Sequence, residues 1–255
     1  MSEPKNMPES EFVSDSENEV TIEGEIESTV NIYLAKGAIE ENAKLYGPIY
    51  KRLASEYALD FESRMLKEKP PENIQGLEEV TKYIIENLNR YPRGHCALIY
   101  AISKTESKLQ GHAGSSGSRR AAFSAMKSML EAVGLLNSLI GTTEDIIEAC
   151  RAFKAKVGDA FAAKGMQVKK AEQLQRIRYI RGKGKNEAEI IYTNCPYKDT
   201  CRALQDERVT RIVGGSVCIN LILGNSITEI ITKKRFDYML EEFDKPDCKG
   251  RIFET

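Results

Sequence analysis

Arg176 to Tyr192 and Phe236 to Glu254 carry apolar residues at the two-residue spacing of strands, where the upstream half is helical in pattern. That change of period constrains the fold more than any other feature. Arg176-Ile-Arg-Tyr-Ile-Arg181 partly alternates, Gly182-Lys-Gly-Lys-Asn186 reads as a turn, and Glu189-Ile-Ile-Tyr192 reads as the return strand. Together they predict a hairpin with a charged outer face. Phe236 to Phe243 alternates again, Asp244-Lys-Pro-Asp247 is a turn, and Cys248 to Glu254 is a closing strand. Between the two hairpins, Asp199 to Ile212 reads as a helix or loop-helix, and the small apolar run Gly214 to Leu223 is suited to close packing.

The upstream half is helical in pattern. Ile32, Leu34, Ile39, Leu45, Ile49, Leu53, Tyr57 and Phe61 recur through Ser28 to Lys67, with a break or kink expected at Gly47-Pro48. Leu77, Val80, Ile84 and Leu88 mark one face of an amphipathic helix. Cys96-Ala-Leu-Ile-Tyr-Ala-Ile102 is short, apolar and rich in branched and aromatic residues, so a buried strand is expected, with a helix as the alternative. Ala121 to Val133 is a strong helix, preceded by Gly111-His-Ala-Gly-Ser-Ser-Gly-Ser-Arg-Arg120. That loop has the small residues and arginines of a phosphate site at a helix N-terminus but the spacing of neither common phosphate motif, and a loop with an N-cap near Ser118 explains it as well. His112, within it, has no partner in sequence that would make it a catalytic base. A further helix runs from the Thr142–Asp145 cap region to about Ala163, with Cys150 on its apolar stripe.

The expected class is therefore α/β of the α+β kind, with N-terminal helices followed by a mainly antiparallel sheet and a C-terminal cysteine-containing hairpin. Three parts are expected: an acidic tail over residues 1–28, a mainly helical part over 29–165 and an α/β ligand-binding part over 166–255. The tail holds nine carboxylates against Lys5 alone and too little apolar surface to order itself, so disorder is expected there. The remaining composition, 41% hydrophobic and 29% charged with a net charge of -1, is that of a soluble globular protein with no overall field for nucleic acid or an anionic membrane. No apolar run approaches the ~18 residues of a membrane span. A cytoplasmic protein is the expectation, in which the six cysteines are thiols or metal ligands and not disulfides.

Four of those cysteines fall in the last quarter, spaced Cys195-x5-Cys201-x16-Cys218-x29-Cys248. No pair has the tight spacing of a zinc ribbon, so only the fold could bring the sulfurs together. If it does, four thiolates suit zinc or an iron–sulfur cluster. If it does not, they are separate core residues, as free cysteines often are. Lys198 and Arg202 are close enough in sequence to favour a thiolate at Cys195 or Cys201.

A strand ending in Asn194-Cys195-Pro196-Tyr197, a later cysteine on a small-residue helix and a closing hairpin whose turn leads into Cys248 resemble the vinyl-4-reductase-type, or hydrocarbon-binding, domain. The resemblance covers about Gln173 to Glu254. It implies an α/β module enclosing a small apolar pocket, found in regulators and tetrapyrrole-related proteins, in which some members hold a metal through cysteines and a carboxylate near the last hairpin. Cys195, Cys218 and Cys248 fall where family cysteines fall. Sensory members often carry a close cysteine pair in the closing hairpin; here Cys248 stands alone, and Cys201, Glu241 or Glu242 is the candidate replacement.

The expected function is binding and sensing of a small apolar or tetrapyrrole-like molecule, with Tyr179, Ile212, Val213, Val217, Leu221 and Met239 as pocket wall. Cys195, Cys201, Cys218 and Cys248 are the candidate metal ligands. The alternatives are a cysteine- or metal-dependent enzyme on a small molecule, and a nucleic-acid-associated regulator using the basic 164–185 stretch, where eight Lys or Arg face Glu172 alone. A small apolar ligand is the expected partner, with a homodimer left open and neither membrane nor nucleic acid expected.

Overall fold

The computed structural model describes residues 16–23, 28–110, 116–163, 176–184, 186–209, 218–243 and 247–255. His112, most of the basic 164–185 stretch upstream of Arg176, and the pocket-wall candidates Ile212, Val213 and Val217 lie outside them. The described residues form nine helices and five strands. Helices dominate the first part and an antiparallel sheet the last, as the change of period predicts.

α1 (Ser28–Tyr46) and α2 (Pro48–Leu66) are separated at Gly47. Gly47 takes φ 82°, a left-handed value that suits glycine, and Pro48 opens α2 where its missing N–H costs nothing. α3 (Gly76–Glu86) buries Leu77, Val80 and Ile84 of the expected stripe together with Thr81, and ends before Leu88, which is only half-buried. The run Cys96–Ile102, expected as a strand, belongs instead to α4 (His95–Gln110). Cys96, Ala97, Leu98, Tyr100 and Ala101 are all fully buried. An all-round apolar run is as proper to a helix at the centre of a core as to a buried strand. The continuation from Ser103 to Gln110 supplies the length that a strand would not have.

α5 (Ser116–Ala132) begins two residues before the expected cap at Ser118. The short α6 (Leu136–Leu139) leads to α7 (Ile146–Ala163). Asp145 caps α7, its Oδ1 accepting the N–H groups of Ile147 and Glu148 at 2.9 and 3.1 Å. α8 (Lys198–Asp206) and α9 (Ile219–Thr232) lie between the two hairpins. α8 is tied to the helical part through Glu207, just past its end. The Glu207 carboxylate accepts from Lys104 Nζ at 2.7 Å, Arg64 Nη1 at 2.9 Å and the Tyr100 hydroxyl at 2.7 Å.

The sheet has the order β1-β2-β3-β5-β4, with β1 Glu19–Glu23, β2 Arg176–Arg181, β3 Glu187–Thr193, β4 Phe236–Glu242 and β5 Cys248–Glu254. Every pairing is antiparallel. β1 corrects the expectation of a wholly disordered tail. Val20 and Ile22 alternate with polar residues, and pairing on β2 buries Val20 completely.

Register sorts the sheet into two faces. Val20, Tyr179, Ile190, Gly250 and Leu240 oppose one another in one row, and Tyr192 opposes Cys248 in the next. These residues face the helices. Met239 opposes Arg251 on the outer face and is 39% exposed, so it is not a pocket wall as expected. The two-residue period that buries Tyr238 and Leu240 must expose it. One core cluster holds side chains from α1–α4 together with others from the sheet and α9. A second gathers Met126, Leu130, Leu136, Leu139, Phe153 and Ile231 between α5, α6, α7 and α9.

Candidate functional site: a buried thiol cluster beside unpaired polar groups

The site is built on the Asn194–Tyr197 turn at the end of β3. Asn194 adopts φ 55°, a left-handed conformation that asparagine tolerates better than most residues, and the chain swings from the sheet toward α4. The Cys96 thiol donates to the Pro196 carbonyl at 3.2 Å, and the Thr200 hydroxyl donates to the Cys96 carbonyl at 3.1 Å. α4 and α8 are thereby clamped on either side of the turn. From α9, Asn220 Nδ2 donates to the Cys195 sulfur at 3.2 Å. Cys218 stands at the N-cap of α9, and Cys248 begins β5 opposite Tyr192.

The fold thus gathers cysteines that the sequence scatters. Burial raises the pKa of Cys195 well above the ordinary thiol value, and the nearness of Cys218, Cys248 and Cys96 adds to it. Cys201 is raised by burial and then by the same neighbours with Cys195. Burial pushes Cys218 and Cys96 each up to about 12. Cys150, from α7, is also raised by burial. It lies near enough to Tyr179 and Tyr192 to disfavour their ionisation. Of the expected pocket wall, Tyr179 and Leu221 do face this interior and are buried.

All six cysteines are free thiols, and Cys201 alone is not fully buried. Protonated, desolvated thiols are poor nucleophiles, which weighs against thiol catalysis at Cys195. Nearness is also not ligation. Among the described residues no three His, Cys, Asp or Glu side chains stand so that they could hold a metal ion. The cysteines share one neighbourhood without standing as a metal-ligand group among the described residues.

Beside the sulfurs lie polar groups of a different kind. Glu62 on α2 is fully buried, and among the described residues neither carboxylate oxygen has a hydrogen-bond partner. Burial alone lifts its pKa from 4.5 to about 8. His95, at the start of α4, is fully buried, with both ring nitrogens unpartnered among the described residues. Burial holds it neutral, with a pKa lowered to about 3. Its ring meets Tyr197 edge-on at 5.2 Å. The Tyr91 hydroxyl is buried against Cys96, near Glu62, with no hydrogen bond of ordinary geometry. No motif spacing in the sequence marks these residues, which read there as ordinary polar residues of helical segments.

Of the basic 164–185 stretch, Arg178 pairs with Glu19 and Arg181 with Asp145 among the described residues. Among the described residues no helix is long and apolar enough to cross a membrane.

No protein-family model matches the sequence, and no curated protein does. A solved structure described as "Probing the function of heme distortion in the H-NOX family" aligns over 88% of this chain and 95% of its own, with 13% identity and a TM-score of 0.36. A likeness of that level carries no argument about fold or function. The resemblance to the vinyl-4-reductase-type domain rests on the order of residues from Asn194 to Glu254.

Proposed function

We propose that this protein is a small-molecule binding and sensing module whose ligand is gripped where α2, α4 and the Asn194–Tyr197 turn meet. One observation carries the reading: Glu62 and His95 are fully buried with every side-chain polar atom unpaired, at the edge of the thiol cluster. Each such group costs ~1–3 kcal/mol when left unsatisfied, so a ligand that pairs with them gains what the free protein forgoes. The packing around them is apolar or aromatic, with the Phe61 and Tyr100 rings 4.7 Å apart and Ile84 close against Gly94, so a ligand enters by opening that packing. A molecule with an apolar body and one polar group, or a tetrapyrrole whose metal takes the neutral His95 imidazole, fits that chemistry.

The test is titration with an apolar fluorescent probe and with zinc and iron porphyrins, followed by absorption and melting, on the protein and on His95→Ala. A rise in melting temperature with at least one of them, lost or reduced in His95→Ala, is expected. No change in melting or spectrum with any probe overturns the reading. Zinc or an iron–sulfur cluster would need the sulfurs drawn to about 2.3 Å of one ion with loss of their protons. Metal analysis of the purified protein decides that point separately.

A further inference from the structure

α5, α9 and the start of β4 line a groove of about 660 Å³. Its rim carries Arg119, Arg120, Lys127, Lys233, Lys234 and Arg235, against Glu229 and Asp237. In a chain whose net charge is -1, that concentration is local and not a consequence of composition. Two of the cations are engaged: Arg119 with Asp237 at 2.7 Å and over the Tyr238 ring at 4.4 Å, and Lys234 with Glu144 and Glu254 at 3.1 and 3.2 Å. Among the described residues, Arg120, Lys127, Lys233 and Arg235 have no carboxylate partner. Phe123, Ile222 and Ile230 make part of the wall apolar.

The floor adds an independent sign. α9 buries Asn220, Asn225, Ser226, Thr228 and Thr232. Ser226, Thr228 and Thr232 each donate back to the carbonyl four residues earlier, and Asn220 donates to Cys195. Asn225 differs. It is 5% exposed and lines the groove, and among the described residues its buried Oδ1 has no partner. A turn of that side chain toward the groove would offer the amide oxygen to a donor on whatever fills it.

We infer that this groove binds a phosphorylated small molecule, with its phosphate on the unpaired cations, its apolar or aromatic body on the Phe123–Ile222 wall, and a hydroxyl or N–H donor on Asn225. A nucleoside phosphate has all three parts, because a base or sugar supplies the donor and a primary amide is suited to a base edge. The volume lies within the range of small-molecule sites. Steering by the exposed cations makes association sensitive to salt.

The probes are ATP, adenosine and inorganic pyrophosphate, titrated calorimetrically into the full chain at low and high salt. Variants Arg120→Glu and Arg235→Glu alter exposed side chains and leave the core untouched. ATP is expected to bind more tightly than either fragment, to weaken with salt, and to lose about tenfold or more in each charge reversal. Asn225→Ala is expected to weaken ATP while leaving pyrophosphate within about twofold. The proposal is overturned if none of the probes binds up to roughly millimolar concentration, or if ATP binding ignores both charge reversals. A single-stranded oligonucleotide that displaces ATP at far lower concentration also overturns it, in favour of a nucleic-acid surface. His95→Ala should leave ATP binding intact, so the two sites can fail independently.

Discussion

Replacing Glu62 by glutamine should stabilise the protein, and by an amount that depends on pH. In the unfolded chain the Glu62 carboxyl ionises near its ordinary 4.5, whereas burial holds it protonated in the fold until about pH 8. A raised carboxyl pKa means that folding becomes less favourable as pH rises between those values, because the unfolded chain releases a proton that the folded one keeps. Below pH 4.5 both forms are protonated and the group costs nothing by ionisation. At ~1.4 kcal/mol for each pH unit, the loss is ~3 kcal/mol at pH 7 and ~5 kcal/mol above pH 8. Glutamine keeps the shape and remains neutral throughout, so Glu62→Gln should match the parent at pH 4.5 and exceed it by up to ~3 kcal/mol at pH 7, a rise in melting temperature of ~6–12 °C. Urea unfolding followed by circular dichroism at intervals from pH 4.5 to 8 measures the difference directly. Glu207 pulls the other way, with a pKa lowered to about 2, but it is common to both proteins and cancels. A gap that stays constant across the range, or a parent that gains on the variant as pH rises, would refute the burial argument.

Glycine substitutions should divide by what a β-carbon would meet. At Gly250 it would stand 2.7 Å from the Met239 carbonyl oxygen and 2.8 Å from Leu221 Cδ1, so Gly250→Ala is expected to cost ~1–3 kcal/mol in thermal unfolding, because a backbone atom has nowhere to retreat. Gly37, inside α1 with nothing within 4 Å of that position, should gain ~0.5–1 kcal/mol as alanine, and equal effects at both sites would contradict the packing described. In the folded protein a thiol reagent at neutral pH should modify Cys201 first, since it alone among the cysteines is not fully buried, and the rest only on unfolding. Mass spectrometry of the labelled peptides checks this, and labelling of Cys195 or Cys218 at the rate of Cys201 would reopen the case for a reactive thiol.

The sheet was legible because its signal is local. Alternation from Arg176 to Tyr192 and from Phe236 to Glu254 places strands and turns with no knowledge of the rest, and the observed register follows it. The same alternation also decides against Met239, since Tyr238 and Leu240 on either side cannot be inward unless Met239 is outward. Cys96–Ile102 misled because periodicity carries no information once every side of an element is buried. What would have favoured a helix is length, visible only if the polar residues from Ser103 onward are read as its continuation. β1 was hidden differently: Val20 and Ile22 sit among carboxylates, and the strand gains its stability from β2, which lies far along the chain at Arg176–Arg181.

The site divides along the same line between local and non-local information. That Cys195, Cys218 and Cys248 belong together could be inferred from a pattern of order, and the fold does gather them with Cys96 and Cys201. Whether gathered sulfurs are also ligands depends on tenths of an ångström and on side-chain direction, which spacing cannot encode. Glu62, His95 and Asn225 illustrate the opposite limit. Each is a polar residue on a helix, and in a sequence it is indistinguishable from the many such residues that face water. Only burial without a partner sets them apart, and burial is a property of the assembled core. An interior that keeps a carboxyl and an imidazole unpaired is destabilised by them, so something else in the molecule has to offset them. On the proposed readings a bound molecule would do so at both sites, and binding unchanged by substitution of Glu62 and His95 at one site and of Asn225 at the other would show that the offset lies in packing alone.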